Sequence, residues 1–195
     1  VSEWGRLLAE GGLAVVPTDT VYGVGCAAGD AGAVARLYAL KQRPAGQATA
    51  LVAGTLDRLV ELLGGLSAPA EAACRAVFPG PVTLVVPNPK RRFRPLCGES
   101  ADRIGVRVPV LAAGVAALAD EAGGLALTSA NLRGEPPPRA LAAVAAEVVA
   151  ACTVVIDGGV LRGEPSCVID VCGAEPRVLR TAPDVDVQLR LLARG

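Results

Sequence analysis

Short apolar runs recur along the whole chain. Eight of them fall at residues 13–16, 49–53, 82–86, 104–108, 125–128, 153–156, 167–171 and 177–179. Each is three to five residues long, the length of a buried strand rather than a helix. Stretches of helical character lie between several of them, at residues 30–40, 55–63, 67–77, 110–121, 139–151 and 184–193. In the first, Asp30 is placed to cap the opening turn, and Val34, Leu37, Tyr38 and Leu40 form the apolar stripe. Ser67 followed by Glu71 resembles a shifted capping arrangement. Strands alternating with helices imply α/β architecture, here as a single domain over residues 1–195. The runs at 82–86 and 104–108 have no helix between them, so the expected sheet is large, twisted and mixed, with both parallel and antiparallel pairs.

The residue counts narrow the chemistry. Hydrophobic residues make up 52% and charged residues 19%, which is enough for a sizeable core and excludes disorder. Nineteen basic and nineteen acidic residues cancel, which argues against a general nucleic-acid coat but leaves room for a local basic patch. With no histidine, the chain cannot build a Ser-His-Asp triad, a Cys-His dyad or a histidine zinc site. Six cysteines without a CxxC pair read as reduced, buried thiols, as in a cytoplasmic protein. No run approaches the roughly 18 apolar residues of a membrane span, and the N-terminus lacks signal-peptide order.

Several strands end in unexpected chemistry. The run at 13–16 meets Pro17 and then Thr18, Asp19 and Thr20. In an extended segment Thr18 and Thr20 share one side and Asp19 faces the other. Polar residues beyond a strand's carboxyl end either grip a ligand or satisfy their own turn. The run at 125–128 repeats the design with Thr128, Ser129 and Asn131. In "KQRP", Pro44 favours an extended Arg43, and an extended Gln42 would project Lys41 and Arg43 to one side. Such a pair either stabilises a helix C-terminus or makes an anion site suited to phosphate. Arg107 sits between valines and needs a carboxylate partner, from the protein or from a ligand. Ser166 opens one strand and Arg180 closes another, while "FPGPVTLVVP" reads as scaffold. Four basic residues at 90–94 belong either to a solvated loop or to a mobile loop over an anion site. No segment matches a P-loop, and "GCAAG" is too loose for a dinucleotide fingerprint.

"PTDTVYG", "KQRP", "FPGPVTLVVP", "GVRVP", "TSANLRG", "PSCVIDV" and "RVLR" stand in the order found in YrdC-like proteins, the threonylcarbamoyl-AMP synthases. The resemblance spans roughly residues 11–180 and is to the short form, without an extra C-terminal domain. It implies condensation of L-threonine, bicarbonate or CO2, and ATP to threonylcarbamoyl-AMP and pyrophosphate, with Mg2+ held mainly by the ATP phosphates. A downstream threonylcarbamoyl-transferase complex then modifies adenosine in tRNA, which the synthase itself binds weakly. By the same resemblance, Thr18, Tyr22, Arg107 and Ser166 contact threonine or shape its pocket. Lys41 and Arg43 carry the catalytic phosphate grip, and Ser129, Asn131 and Arg180 hold the nucleotide. Cys167 stands where the family pattern leads one to expect threonine, and no role transfers to residues 46–50. Two other readings remain: a carbamoyl-adenylate-forming module of the same type, and a non-catalytic RNA-binding module.

Overall fold

A computed structural model describes residues 1–44 and 46–193. In chain order the elements are α1 (Glu3–Ala9), β1 (Ala14–Val16), β2 (Gly23–Ala27), α2 (Ala31–Leu40), β3 (Ala50–Val52), α3 (Leu56–Leu63), α4 (Ala68–Val77), β4 (Val82–Pro87), β5 (Arg103–Arg107), α5 (Ala113–Glu121), β6 (Leu125–Ser129), α6 (Ala146–Ala150), β7 (Val154–Val155), β8 (Cys167–Asp170), β9 (Arg177–Arg180) and α7 (Val185–Leu192). The strands form one sheet in the order β7-β1-β2-β6-β3-β5-β4-β8-β9. Pairs β1–β7, β3–β5 and β4–β8 are parallel and the other five are antiparallel, so the mixed sheet expected from the sequence is present.

Local chemistry accounts for most boundaries. Asp30 Oδ1 accepts from the Ala33 amide at 3.0 Å, the cap expected of it. Ser67 makes no side-chain cap bond, contrary to expectation: Pro69 in the first turn lacks an N–H, and Glu71 instead pairs with Arg75 at 2.7 Å. The expected helix over 139–151 breaks into a 3-10 turn at Leu141–Ala143, an extended Val144 and the short α6. That extension lets Val144 and Val148 both enter the core. Two elements escaped the sequence reading, α1 and β2. β2 is "GVGCA", whose glycines hide the strand signal. Those glycines are required sterically, because a Cβ at Gly23 would come within 2.9 Å of Leu127 and one at Gly25 within 2.4 Å of the Ala126 carbonyl oxygen.

The two faces of the sheet are covered unequally. On one face Val24, Leu51, Leu84, Val106 and Ile169 join a core with Leu37 of α2, Leu59 of α3, Cys74 of α4 and Val148 of α6. On the other, Leu8 of α1 and Val115, Leu118 and Ala119 of α5 cover Ala14, Val16, Val52, Leu125 and Leu127. Side chains alternate between faces. Thr83 and Val85 of β4, and Gly105 and Arg107 of β5, therefore point away from the first core. No residue of α1 or α5 reaches the β5–β4–β8 part of their face, and a concavity forms there. Among the described residues no helix is long and apolar enough to cross a membrane.

Candidate functional site

The concavity is a cavity of about 450 Å3. Its floor is made of small or flat positions, Gly23 of β2, Ala50 of β3 and Gly105 of β5, with Thr83, Val85 and Val168 beyond them. Its rim carries Arg43, Arg103, Arg107 and Arg180 together with Thr18, Thr49, Thr128, Ser129 and Ser166, and no aspartate or glutamate among the described residues lines it. In a chain of zero net charge, four guanidinium groups converge on one hollow. Five buried side-chain polar atoms lack a hydrogen-bond partner among the described residues. Four of them, Arg43 Nε, Thr49 Oγ1, Arg103 Nε and Arg107 Nε, belong to residues of this wall. Unpaired buried polar atoms are costly, and their concentration on one wall sets this hollow apart from the rest of the interior.

Each arginine is held by neighbouring protein groups. Arg43 donates from Nη1 to Thr128 Oγ1 at 3.0 Å and from Nη2 to the Ala48 carbonyl at 2.6 Å, and its guanidinium lies 5.5 Å from the Tyr38 ring centre. Arg180 donates to the Ser166 carbonyl at 2.8 and 3.0 Å and to Ser166 Oγ at 3.1 Å, while Ser166 Oγ lies 3.1 Å from Thr83 Oγ1. Arg103 donates to Asp170 at 3.0 Å and Arg107 to Asp19 at 2.5 Å. Two of the four positive charges are thus balanced from behind. Those of Arg43 and Arg180 meet no carboxylate among the described residues. Burial lowers the pKa of Arg43, Arg107 and Arg180, as expected for charges withdrawn from water.

Of the residues singled out from the sequence, Thr18, Arg43, Arg107, Ser129, Ser166 and Arg180 come together on this wall. Tyr22, Lys41 and Asn131 do not line it. Tyr22 is fully buried; its hydroxyl donates to Asp157 at 2.8 Å and accepts from the Gly158 amide at 2.8 Å, so it ties down the segment after β7. Asn131 spends its amide on the carbonyls of Leu132 at 2.9 Å and Glu135 at 2.7 Å, and accepts from Ser129 Oγ at 2.5 Å. Gln42 has φ 48°, a left-handed turn instead of the expected extension, so the period-two projection of Lys41 and Arg43 to one side does not apply. Lys41 Nζ donates to the Ser129 carbonyl at 2.7 Å and to the Asn131 carbonyl. Both cations still brace the same strand tip, at Thr128, Ser129 and Asn131. Thr18 lines the wall with its hydroxyl already engaged: it donates to the Val21 carbonyl at 2.8 Å and lies 2.9 Å from Thr20 Oγ1. The Arg107 partner left open by the sequence includes a protein carboxylate, Asp19.

The basic residues at 90–94 lie off the cavity wall. Asn88 pins their loop through the Arg92 carbonyl at 2.9 Å and the Ala101 carbonyl at 3.2 Å, and Lys90 bonds the Gly64 carbonyl. Cys167 is fully buried on the helix-covered face, so a hydroxyl at this position would not reach the cavity. Thr83 and Arg103 were missed by the sequence reading. The signal was available, since Arg103 lies two and four residues from Gly105 and Arg107 and shares their side of β5. Thr49, within the segment 46–50 to which no role was transferred, also lines the cavity.

Lys41 allows a direct check of its buried position. Burial first, and then the charge of Arg43, pushes its pKa down from 10.5 to about 8. Between those two values the unfolded chain binds the extra proton, so stability rises with pH in that window. Denaturant unfolding at about pH 7.5 and about pH 10 should show this gain in the unsubstituted protein and not in Lys41→Met. An equal pH response in both would place the Lys41 ammonium in water.

The family described as "Telomere recombination" (Sua5/YciO/YrdC) matches residues 6–182, most of the chain. The chain belongs to this family. It is 38% identical over 173 residues to a threonylcarbamoyl-AMP synthase of Chromohalobacter salexigens, covering 86% of this chain and 90% of that protein. It is 33% identical over 186 residues to a threonylcarbamoyl-AMP synthase of Pyrococcus abyssi, covering 92% of this chain but only 54% of that longer protein. Among solved structures, P. abyssi Sua5 complexed with L-threonine superposes with a TM-score of 0.82 at 32% identity, over 93% of this chain and 55% of that one. The α/β fold with its mixed sheet is therefore the Sua5/YciO/YrdC fold, as the ordered motifs implied.

Proposed function

We propose that this chain, acting as one domain over residues 1–195, is an L-threonylcarbamoyladenylate synthase. The supporting observation is the cavity itself, in which, among the described residues, four arginines, several hydroxyls and no carboxylate surround about 450 Å3. In this reading the neutral threonine amine adds to CO2 with loss of a proton to solvent, or to bicarbonate with loss of water, giving a carbamate. A carbamate oxygen attacks the α-phosphorus of ATP, and pyrophosphate leaves with the P–O bonding pair. The nucleophile is already anionic, so a chain without histidine is not handicapped. The difficulty is bringing an anion up to a triphosphate. Fixed cations around the hollow offset that repulsion, and holding the reactants in line contributes up to roughly 7–11 kcal/mol.

Arg43 and Arg180, the two arginines without a carboxylate partner, grip the phosphates. Arg107, beside Thr18, takes the threonine carboxylate with the donors it does not spend on Asp19. The engaged Thr18 hydroxyl leaves its methyl as the surface offered to the amino acid. Ser129 and Thr128 face the nucleotide, and Ser166 holds Arg180 in place. Lys41, Asn131 and Tyr22 act through the walls they brace. Among the described residues no group of three His, Cys, Asp or Glu side chains could hold a metal, and the wall offers no carboxylate. Mg2+ therefore enters this reading held by the ATP phosphates and not by protein carboxylates. The product feeds a threonylcarbamoyl transferase acting on adenosine of tRNA, to which the synthase binds weakly, in the cytoplasm.

The test is pyrophosphate release from ATP and bicarbonate, with and without L-threonine, and with carbamoyl phosphate in its place. Release that depends on L-threonine is the expected result. Release driven only by carbamoyl phosphate, or ATP-independent RNA binding with no turnover, would overturn this reading.

A further inference from the structure

In the sheet, β1 and β5 are separated by β2, β6 and β3, yet the turn after β1 reaches across the strand ends and is bonded to the end of β5. Arg107 Nη2 donates to Asp19 Oδ1 at 2.5 Å and to Thr20 Oγ1 at 2.9 Å. The other carboxylate oxygen, Asp19 Oδ2, accepts from the Val110 amide at 3.1 Å. Thr20 Oγ1 continues the chain to Thr18 Oγ1 at 2.9 Å. The two ends of this network, Arg107 and Thr18, line the cavity, whereas Asp19 and Thr20 do not. The ion pair is nearly buried, with 10% of the Arg107 and 13% of the Asp19 side chain exposed.

We propose that Asp19 is a positioning residue, which clamps one end of the Arg107 guanidinium from outside the cavity so that its remaining donors meet the carboxylate of an amino-acid substrate. Both Asp19 oxygens are occupied, one by the guanidinium and one by the backbone, so the carboxylate cannot swing. A guanidinium is a rigid plane, and fixing Nη2 therefore fixes the directions of Nε and Nη1. Arg107 Nε has no partner among the described residues, so Asp19 and Thr20 hold this guanidinium through Nη2 alone. The clamp also keeps the buried arginine charged, since burial lowers its pKa and Asp19 raises it. An asparagine cannot replace the carboxylate. Its amide offers one acceptor and one donor where two acceptors are needed, so either the Arg107 bond or the Val110 bond must be lost.

This inference rests on Arg107 receiving the substrate carboxylate, and its test keeps the two ideas apart. In Asp19→Asn the KM for L-threonine should rise about tenfold or more, with the KM for ATP within twofold in a protein that still folds, although its unfolding midpoint falls because a nearly buried guanidinium loses its carboxylate. Asp19→Glu, which keeps two acceptors, should recover part of the loss. Independently of turnover, the Arg107 guanidinium resonance, assigned as the one absent in Arg107→Lys, should show hindered rotation in the unsubstituted protein and averaging in Asp19→Asn. If the guanidinium stays hindered in Asp19→Asn, or both KM values rise together, Asp19 is no clamp. If the unsubstituted protein shows no L-threonine-dependent release, the functional reading falls and the resonance alone decides the clamp.

Discussion

Arg43→Ala should lower L-threonine-dependent pyrophosphate release about 10²–10³-fold, the usual loss when one donor aimed at developing charge is removed. Of the four cavity arginines, Arg103 and Arg107 have carboxylates behind them. Much of their charge is spent before a ligand arrives. Arg43 is held by neutral acceptors only, the Thr128 hydroxyl and the Ala48 carbonyl, and is backed by the Tyr38 ring. Its full charge therefore falls on whatever occupies the hollow. Arg43→Lys should recover little of the lost rate. An ammonium is a single point and cannot span Thr128 and Ala48 while presenting a further N–H to phosphate. The fold should survive both changes, because Arg43 lies outside the buried core; thermal unfolding read beside the rate separates the two effects. Near-normal turnover in a folded Arg43→Ala protein would remove Arg43 from the phosphates and leave Arg180 as the alternative grip.

What the sequence disclosed and what it hid divide along a physical line. All eight expected strands are present because each is apolar on at least one face and bounded by turn chemistry. The strand that was missed, β2, owes its obscurity to glycines demanded by Leu127 and the Ala126 carbonyl across the pairing. That is a tertiary requirement, which no local pattern records. The wall was half legible for a similar reason. Arg107 and Arg180 lie on strands, where period two fixes the direction of a side chain, and both reach the cavity. Lys41 and Asn131 lie in turns, where one left-handed residue, Gln42, or one carbonyl within reach redirects the side chain. Side-chain type suggested a ligand contact there, and backbone hydrogen bonding took the group instead. Asp19 was legible only as the residue facing away from Thr18 and Thr20. Its pairing with β5 crosses three intervening strands, a distance in sequence that only the closed sheet supplies.

The floor gives the second large effect. Gly105→Val should abolish measurable ATP binding, or weaken it at least about 10–200-fold, while leaving the protein as stable as before or more so. Gly105 lies midway along β5, buried, with backbone angles that any residue adopts. A Cβ built there meets nothing nearer than a Thr83 methyl at 3.7 Å and the Ala50 Cα at 3.8 Å, both ordinary contacts. The fold therefore does not require glycine at this position, in contrast to Gly23 and Gly25. Strand glycines cost roughly 0.5–1 kcal/mol relative to alanine, and β-branched residues suit strands, so the substitution favours the folded state. What a valine would fill is the hollow itself, since the Gly105 side of β5 is the cavity floor. One misplaced methylene in a fitted site costs about 1–3 kcal/mol, and valine adds a branched side chain. Gly105→Ala should fall between the two, with a small gain in stability and a partial loss of affinity. Denaturant titration and ATP titration on the same three proteins would then move in opposite directions, which no general destabilisation can do. ATP binding unchanged in Gly105→Val would mean that the nucleotide rests elsewhere, and the arginines around this floor would need another ligand.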